Sequence, residues 1–158
     1  MPLIDSILTS FEETEAFAAN VALAVAAPCS IALQGDLGAG KTTFARGFLH
    51  ALGHQGKVKS PTYTILEPYQ IGDITVNHFD LYRLVDPEEL ELIGAHEMFA
   101  QETINLIEWP EQGAGWLPEM DLWLKIEHLE SGRRFRLSAT SPCGEAVLAR
   151  IKSNQQKS

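Results

Sequence analysis

The chain has 158 residues, of which 45% are hydrophobic and 21% charged, and its formal net charge is −9. This length permits one folded domain, and this composition excludes a disordered chain. The acidity argues against a protein that grips nucleic acid by itself, because such a protein would need a strongly segregated basic face.

The first predicted element is a helix, and a short buried strand follows it. Ser10 and Glu13 form a capping box, with serine as the N-cap and glutamate at the third helical position. The helix is expected to run to about Ala26, with Pro28 ending it. Residues 31–33 form a short apolar run, which is typical of a buried strand.

A second helix and a hairpin come next. Residues 41–52 carry apolar side chains at a spacing of four, and Gly53 supplies a stop signal. Residues 63–69 and 74–79 predict two strands joined by a tight turn. Residues 86–94 open with Asp-Pro-Glu-Glu, which is typical of a helix start.

The last third of the chain predicts a strand, a hairpin and a helix. Residues 104–107 form a second short apolar strand, which ends in Glu108. Residues 121–129 and 133–138 flank a Ser-Gly turn signal. The polar tail from about residue 152 is expected to fray. The order of elements predicts one α/β domain over residues 1–158, with a mixed parallel and antiparallel sheet flanked by helices.

Targeting signals are not visible in the sequence. The longest apolar run, residues 21–28, is much shorter than the roughly 18 to 20 residues that span a bilayer. Acidic residues precede the first lysine or arginine, which is the wrong charge for a signal peptide. Two cysteines, Cys29 and Cys143, do not make a disulfide framework. We therefore expect a cytoplasmic protein with no membrane partner.

The strongest chemical signal is a phosphate-binding loop. Residues 35–42 match G-x-x-x-x-G-K-[ST] at every fixed position, between a predicted buried strand and a predicted helix. Lys41 would reach the β- and γ-phosphates, the Thr42 hydroxyl would bind Mg²⁺, and Thr43 would touch the α-phosphate. The predicted nucleotide contacts of the loop are Gly35, Asp36, Leu37, Gly38, Ala39, Gly40, Lys41, Thr42 and Thr43.

Two acids at predicted strand ends are the candidates for metal binding and catalysis. Asp80 and Glu108 each follow an apolar strand, and both would face the loop if their strands lay beside residues 31–33. Either acid could hold the metal, and either could serve the attacking water.

The Ser-Pro-Thr run at residues 60–62 is either a nucleotide-sensing loop or a simple turn stiffened by proline. Trp109 lies near the nucleotide or a partner, or is an ordinary core or rim aromatic.

Charge is unevenly distributed along the chain. Residues 28–60, which contain the loop, carry a net charge of +3, and residues 61–111, which contain both acids, carry −10. This pattern indicates either an anion site inside an acidic body or ordinary surface charge. Arg133, Arg134 and Arg136 could form a basic face toward phosphate or RNA, or a solvated strand face.

Four segments in this order closely resemble the TsaE (YjeE) family of small bacterial P-loop ATPases. They are residues 35–43, Ser-Pro-Thr-Tyr at 60–63, His-Phe-Asp-Leu-Tyr-Arg-Leu at 78–84 and Ile-Glu-Trp-Pro-Glu at 107–111. The resemblance implies a P-loop NTPase-like fold and slow ATP hydrolysis in support of the threonylcarbamoyladenosine modification of tRNA. It also implies ATP, ADP and Mg²⁺ as ligands, docking on TsaB and TsaD as partners, and contact with tRNA only through that complex.

The resemblance also implies roles for single residues. Thr42 and Glu108 would hold Mg²⁺, with Asp80 as a further candidate ligand, and Asp80 would orient or deprotonate the water. Lys41 and the loop amides would hold the phosphates. Thr62 would sense the γ-phosphate, Trp109 would lie beside the nucleotide or the partner, and Ser10 would flank the adenine.

Two other functions fit the same loop. A small-molecule kinase would need arginines in a lid over the phosphates, for which Arg133 and Arg134 are the clustered candidates. A nucleotide-gated adaptor would bind ATP without hydrolysing it. Transfer of labelled γ-phosphate to metabolites would indicate the kinase, and function that survives loss of Asp80 would indicate the adaptor.

Overall fold

Strands from the whole length of the chain meet in one sheet. The structure, a computed structural model, describes residues 3–36, 38–61 and 63–156. Its strands are β1 (Leu3–Leu8), β2 (Cys29–Gln34), β3 (Leu66–Ile71), β4 (Ile74–Asp80), β5 (Ile104–Glu108), β6 (Leu122–His128) and β7 (Arg133–Ala139). Its helices are α1 (Phe11–Ala22), α2 (Lys41–Leu52), α3 (Glu89–Leu92), α4 (Ala95–Phe99) and α5 (Pro142–Gln156), with a 3₁₀ turn at Pro110–Gly113. The predicted α/β class is confirmed.

The middle of the sheet is parallel and its edges are antiparallel. The strand order is β1-β7-β6-β2-β5-β4-β3. Strands β6, β2, β5 and β4 run parallel to one another, whereas β7 pairs antiparallel with β6 and β1, and β3 pairs antiparallel with β4. Because parallel strands end at the same edge, the C-terminal residues of β2, β5 and β4 lie close together. The register pairs Leu33 with Glu108 and Glu108 with Asp80.

Apolar side chains on the two faces of the sheet form two cores. Phe17 of α1, Phe44 of α2 and Val147 of α5 belong to the larger core. Leu90 of α3 and Ala95 of α4 belong to the smaller one. The strands alternate between the cores, as expected for side chains with a period of two. The sheet is therefore covered on both sides, as its parallel centre requires.

Close contact between α1 and α2 depends on a glycine. A Cβ atom at Gly47 would lie 2.9 Å from the Cα atom of Glu15 and 3.1 Å from the Cβ atom of Ala18. The aromatic ring of Phe17 in α1 lies 6.2 Å from that of Phe44 in α2 and 5.4 Å from that of Phe135 in β7. These contacts fix the direction in which α2 leaves the phosphate loop.

The N-terminal region differs from the prediction in three ways. Strand β1 was not predicted; it forms because it pairs with β7, more than a hundred residues away. Helix α1 ends at Ala22 rather than Ala26, without help from Pro28. Ser10 is the N-cap as predicted, and its Oγ accepts a hydrogen bond from the Glu13 N–H at 3.1 Å. The Glu13 carboxylate accepts from the Thr9 N–H rather than from that of Ser10.

Three further predictions are wrong in their bounds. Strand β3 begins at Leu66, because Ile65 has a φ of 68° and its N–H bonds to Pro61 in a turn. The helix predicted over residues 86–94 is the four-residue α3. The tail predicted to fray continues α5 to Gln156, since helix propagation adds a hydrogen bond with each residue. Among the described residues, no helix has the length and apolar character needed to cross a membrane.

Candidate functional site

The phosphate loop connects β2 to α2 at the C-terminal edge of the sheet. Gly38 and Gly40 have φ angles of 77° and 120°, in the left-handed region that favours glycine. A Cβ atom at Gly35 would lie 2.9 Å from the carbonyl oxygen of Ile126. The loop therefore needs glycine at Gly38 and Gly40 for the backbone conformation, and at Gly35 for lack of space. Helix α2 begins directly after the loop, at Lys41.

A cavity of about 640 Å³ opens above this loop. It is bounded by the loop and the first turn of α2, by the β1–α1 connection, by the ends of β4 and β5, and by the start of β7. Its lining residues are Leu8, Thr9, Ser10, Phe11, Glu12, Thr14, Gly38, Ala39, Gly40, Lys41, Thr42, Thr43, Asp80, Glu108, Trp109, Gly132 and Arg133. The phosphate loop, from the basic stretch of residues 28–60, and both acids therefore meet in one place.

Lys41 lies at the base of the cavity and is only 5% exposed. Its ammonium donates to the carbonyl oxygen of Gly35, lies 3.5 Å from that of Asp36, and sits 3.9 Å from the centre of the Trp109 ring. Burial lowers the pKa of Lys41, and the nearby carboxylates of Glu108 and Asp80 oppose that shift. A partly desolvated cation facing a cavity is suited to binding an anion.

The two strand-end acids are buried side by side. Asp80 is 5% exposed and Glu108 is 2% exposed, and they are register partners on β4 and β5. One Asp80 oxygen accepts the N–H of Tyr82 at 3.0 Å. One Glu108 oxygen lies 2.6 Å from Nε2 of His78, which is fully buried. The strand carrying Glu108 pairs directly with β2, whereas the strand carrying Asp80 is one position further away.

Trp109 adopts a conformation that is rare for a large side chain. Its φ of 57° and ψ of 52° place it in the left-handed region, immediately before Pro110. Such a residue costs about 1–3 kcal/mol and is typical of functional sites. The Trp109 ring covers the Lys41 ammonium and packs 5.0 Å from the ring of Tyr82. Trp109 is therefore part of the cavity wall.

Most of the predicted site residues lie together. Ser10, Lys41, Thr42, Thr43, Asp80, Glu108 and Trp109 line the cavity with Gly38, Ala39 and Gly40. Gly35 and Asp36 contribute through their carbonyl groups, which contact Lys41. Leu37 and Thr62 lie outside the described residues. Tyr63, beside Thr62, is 81% exposed and packs against Arg83, whose Cζ lies 4.5 Å from its ring.

The arginines of β7 divide into two groups. Arg134 forms an ion pair with Asp5 of β1 at 2.6 Å, and Arg136 pairs with Glu127 of β6. Arg133 lines the cavity. Alternation along a strand separates Arg133 from Arg134 and Arg136, but the partner of Arg134 could not be predicted because β1 was not. Because Arg134 is paired with Asp5, Arg133 is the one of the two candidate lid arginines that lines the cavity.

His78 is a residue of this site that sequence reasoning missed. In a strand, side chains two positions apart lie on the same face, so a histidine two residues before Asp80 shares its face. That spacing was visible in the sequence and could have shown that His78 approaches the acids.

A second group of possible ligand atoms lies at the other end of β2. The sulfur atoms of Cys29 and Cys143 and a carboxylate oxygen of Asp121 are all within 4.8 Å of one another. The Asp121 carboxylate already accepts the Ser30 N–H at 2.8 Å and the Ser141 hydroxyl at 2.7 Å. These bonds tie β2, β6 and α5 together, which is a structural role.

Known proteins of one family resemble the chain over most of its length. Residues 8–135 match the family model described as Threonylcarbamoyl adenosine biosynthesis protein TsaE. The chain belongs to the TsaE family. It is 50% identical over 117 residues to the Haemophilus influenzae tRNA threonylcarbamoyladenosine biosynthesis protein TsaE, covering 74% of each chain. It is 40% identical over 124 residues to the Bacillus subtilis protein of that name, covering 78% of this chain and 77% of the other.

A solved TsaE-like structure shares the fold. The crystal structure of Bacillus subtilis YdiB superposes with a TM-score of 0.83 at 30% identity, covering 97% of this chain and 96% of the other. The span matched by the TsaE model begins at Leu8 and ends at Phe135, so it contains every residue of the cavity wall. The resemblance inferred from four sequence segments is confirmed, and the family acts in tRNA threonylcarbamoyladenosine biosynthesis.

Proposed function

We propose that this chain is a slow, Mg²⁺-dependent ATPase that supports threonylcarbamoyladenosine modification of tRNA by docking on the TsaB–TsaD complex. The observation that carries the proposal is one cavity in a TsaE-family chain. That cavity joins a glycine-rich loop, a buried lysine and two buried carboxylates. In P-loop NTPases the loop and its lysine hold the β- and γ-phosphates, while the loop hydroxyl and an acid hold Mg²⁺, and this cavity contains residues for each of these roles.

Phosphate binding rests on the loop and on α2. Successive backbone N–H groups in a loop with left-handed glycines form a concave anion site. The first turn of α2, a twelve-residue helix, adds the positive end of its dipole. Lys41 would turn from the loop carbonyls toward the β- and γ-phosphates, with Thr43 beside the α-phosphate. Leu37 belongs to the same loop and is proposed on that ground alone.

The metal site would use hard oxygen donors. Thr42 offers a hydroxyl, and Glu108 and Asp80 offer carboxylates, all in the wall of the cavity. This donor set fits Mg²⁺, which prefers oxygen ligands and shares them with substrate phosphates. Mg²⁺, when bound, would neutralise charge on the phosphates. We assign Thr42 and Glu108 to the metal because the Glu108 strand pairs directly with β2.

Asp80 would act on the water. It lies one strand further from the loop than Glu108, and the Tyr82 N–H holds one of its oxygens. A carboxylate fixed in this way can orient a water molecule and accept its proton. Thr62 would report the γ-phosphate, and Trp109 would cover the phosphates. Ser10 and Phe11 would flank the adenine at the other end of the cavity.

Docking on protein partners is supported by the surface of residues 61–111. This segment carries the net charge of −10. Several large apolar side chains of the segment are also exposed, namely Tyr63, Tyr82, Val85 and Leu92. Exposed apolar groups within a charged surface are typical of protein interfaces. We therefore propose that basic surfaces of TsaB or TsaD contact this segment, and that tRNA is reached only through the complex.

Co-purification with TsaB and TsaD, with and without ATP, tests the proposal. We expect ATP-dependent docking, weak ATPase activity of the chain alone and a higher rate with both partners. Docking should weaken as salt rises, because opposite charges attract over about 10 Å at 0.1 M salt. Full ATPase turnover in isolation, unchanged by the partners, would contradict the partner dependence. Salt-independent docking would remove the role of the acidic segment.

The small-molecule kinase is tested in parallel. Incubation with labelled ATP and a metabolite extract should give labelled inorganic phosphate and no labelled metabolite. A labelled metabolite would support the kinase instead.

A further inference from the structure

His78 forms the closest polar contact to either acid of the site. Its Nε2 lies 2.6 Å from Oε2 of Glu108, and both side chains are almost completely buried. A short bond between an imidazole N–H and a carboxylate is among the stronger hydrogen bonds in proteins. Because both side chains are almost completely buried, this bond can set the direction of the carboxylate.

The sheet places the two residues close enough for this contact. His78 and Asp80 lie on the same face of β4, and Glu108 is the register partner of Asp80 on β5. His78 precedes Asp80 by two residues, so it contacts Glu108 diagonally across the two strands. It does not line the cavity. The bond engages Oε2 and leaves Oε1 without a contact from His78.

The other nitrogen of His78 is buried without a partner in the described structure. Within the described residues, Nδ1 is a buried polar atom with no hydrogen-bond partner. An apolar side chain at this position would avoid the cost of burying such an atom. An unsatisfied buried group needs a reason, and the bond from Nε2 to Glu108 is the one polar contact that the described structure gives the ring.

We propose that His78 is a positioning residue that orients Glu108 toward the metal. The Nε2–H donates to Oε2, fixes the side-chain rotamer and turns Oε1 to the metal beside Thr42. This inference rests on the proposed function, in which Glu108 binds Mg²⁺. It goes beyond that function because it assigns the orientation of the Glu108 carboxylate to His78, a residue that does not line the cavity.

The test measures how strongly Mg²⁺ and nucleotide help each other to bind. Calorimetry gives the Kd for ADP in EDTA and in Mg²⁺, and the ratio of the two is the coupling. His78→Leu removes the donor at similar volume, and His78→Gln restores an N–H at similar reach. The control is Asn77→Leu, which removes the buried 3.1 Å bond from Asn77 to Asn105 on the opposite face of β4.

We expect the ADP affinity in EDTA to be unchanged in all three variants. Loss of a residue that orients a metal ligand commonly weakens metal binding by about 10- to 100-fold, so His78→Leu should lower the coupling by at least about tenfold. His78→Gln should recover most of it, and Asn77→Leu should match the wild-type coupling. A general loss of sheet packing would instead lower the affinity in EDTA and affect Asn77→Leu equally.

Two results separate this inference from the function on which it rests. A folded His78→Leu with the wild-type coupling overturns the role of His78 alone. If the ADP affinity of the wild-type chain is the same with and without Mg²⁺, both the role of His78 and the proposed metal site are wrong. If His78→Leu does not fold, nitrogen NMR of the wild-type histidines decides, with His78→Gln used for assignment. The Nε2 signal of His78 should shift when Mg²⁺ is added to the ADP complex, and an unmoved signal overturns the proposal.

Discussion

Replacement of Lys41 by methionine should weaken ATP binding while leaving the free energy of unfolding almost unchanged. Methionine keeps most of the unbranched stem of Lys41 but removes its ammonium. In the proposed complex that ammonium binds phosphate, and a hydrogen bond to a charged group contributes about 1.5–3 kcal/mol. Since about 1.4 kcal/mol corresponds to a factor of ten, ATP affinity should fall about 10- to 100-fold.

The stability of the free protein should change little. Burial lowers the pKa of Lys41, which means that the folded chain holds the charged form less well than water does. Methionine removes this cost, but it also removes the bonds to the carbonyl groups of Gly35 and Asp36. The two effects oppose each other, so the free energy of unfolding should stay within about 1 kcal/mol of the wild type.

The pH dependence has a definite sign. Between the lowered pKa of Lys41 and the ordinary value of 10.5, the unfolded chain binds more protons than the folded one. Stability from this residue therefore rises with pH across that window, and it is lost as the pH falls through the folded pKa. Lys41→Met should lack this rise, whereas Lys57→Met, at an exposed lysine, should keep it.

Calorimetry with ATP and urea unfolding at several pH values measure both effects. Unchanged ATP affinity in Lys41→Met would refute the placement of the phosphates. A loss of stability much larger than about 1 kcal/mol would refute the conclusion that the ammonium is held at a cost, because it would mean that the lost carbonyl contacts outweigh the relief of burial.

Three further outcomes are expected. Asp80→Asn should still bind ATP by calorimetry but hydrolyse it about 10²- to 10⁴-fold more slowly, and an unchanged rate would exclude Asp80 as the base. Ser10→Ala should lower the free energy of unfolding by about 1 kcal/mol, seen in urea, because the helix loses its cap; no change would mean that the 3.1 Å bond to Glu13 contributes nothing. Burial, with the Asp121 charge, raises the pKa of the Cys29 thiol, so iodoacetamide at pH 8 should label Cys143 first; mass spectrometry showing equal labelling would contradict this.

The helix and strand that carry the phosphate loop were readable from the sequence because their signals are local. Helix α2 has its predicted bounds of Lys41 and Leu52, and Gly53 caps it in the left-handed conformation. Strand β2 is buried along its length, as its apolar run indicates. A capping glycine and an apolar period act within a few residues, so they do not depend on the rest of the fold.

Elements that depend on distant partners were not readable in this way. Strand β1 has an irregular alternation and forms because β7 offers it an edge. The end of α1 at Ala22 carries no glycine or proline signal. The division of residues 86–99 into α3 and α4 follows Gly94, whose left-handed φ of 72° interrupts the helix. For β1 the distant partner overrides a weak local preference, whereas the break at Gly94 is a local effect of glycine.

Residue types and spacing in the sequence identify a glycine-rich loop with Lys41 and Thr42, and acids at the ends of two strands. These sequence signals are local, so they do not depend on which strands become neighbours in the sheet. The strand order, by contrast, comes from tertiary structure: β5 lies between β2 and β4, so the strand that ends in Glu108 is the one next to β2. Tertiary structure also decided that His78 holds Glu108 from behind, because strand order and register bring together residues that are thirty positions apart in the chain.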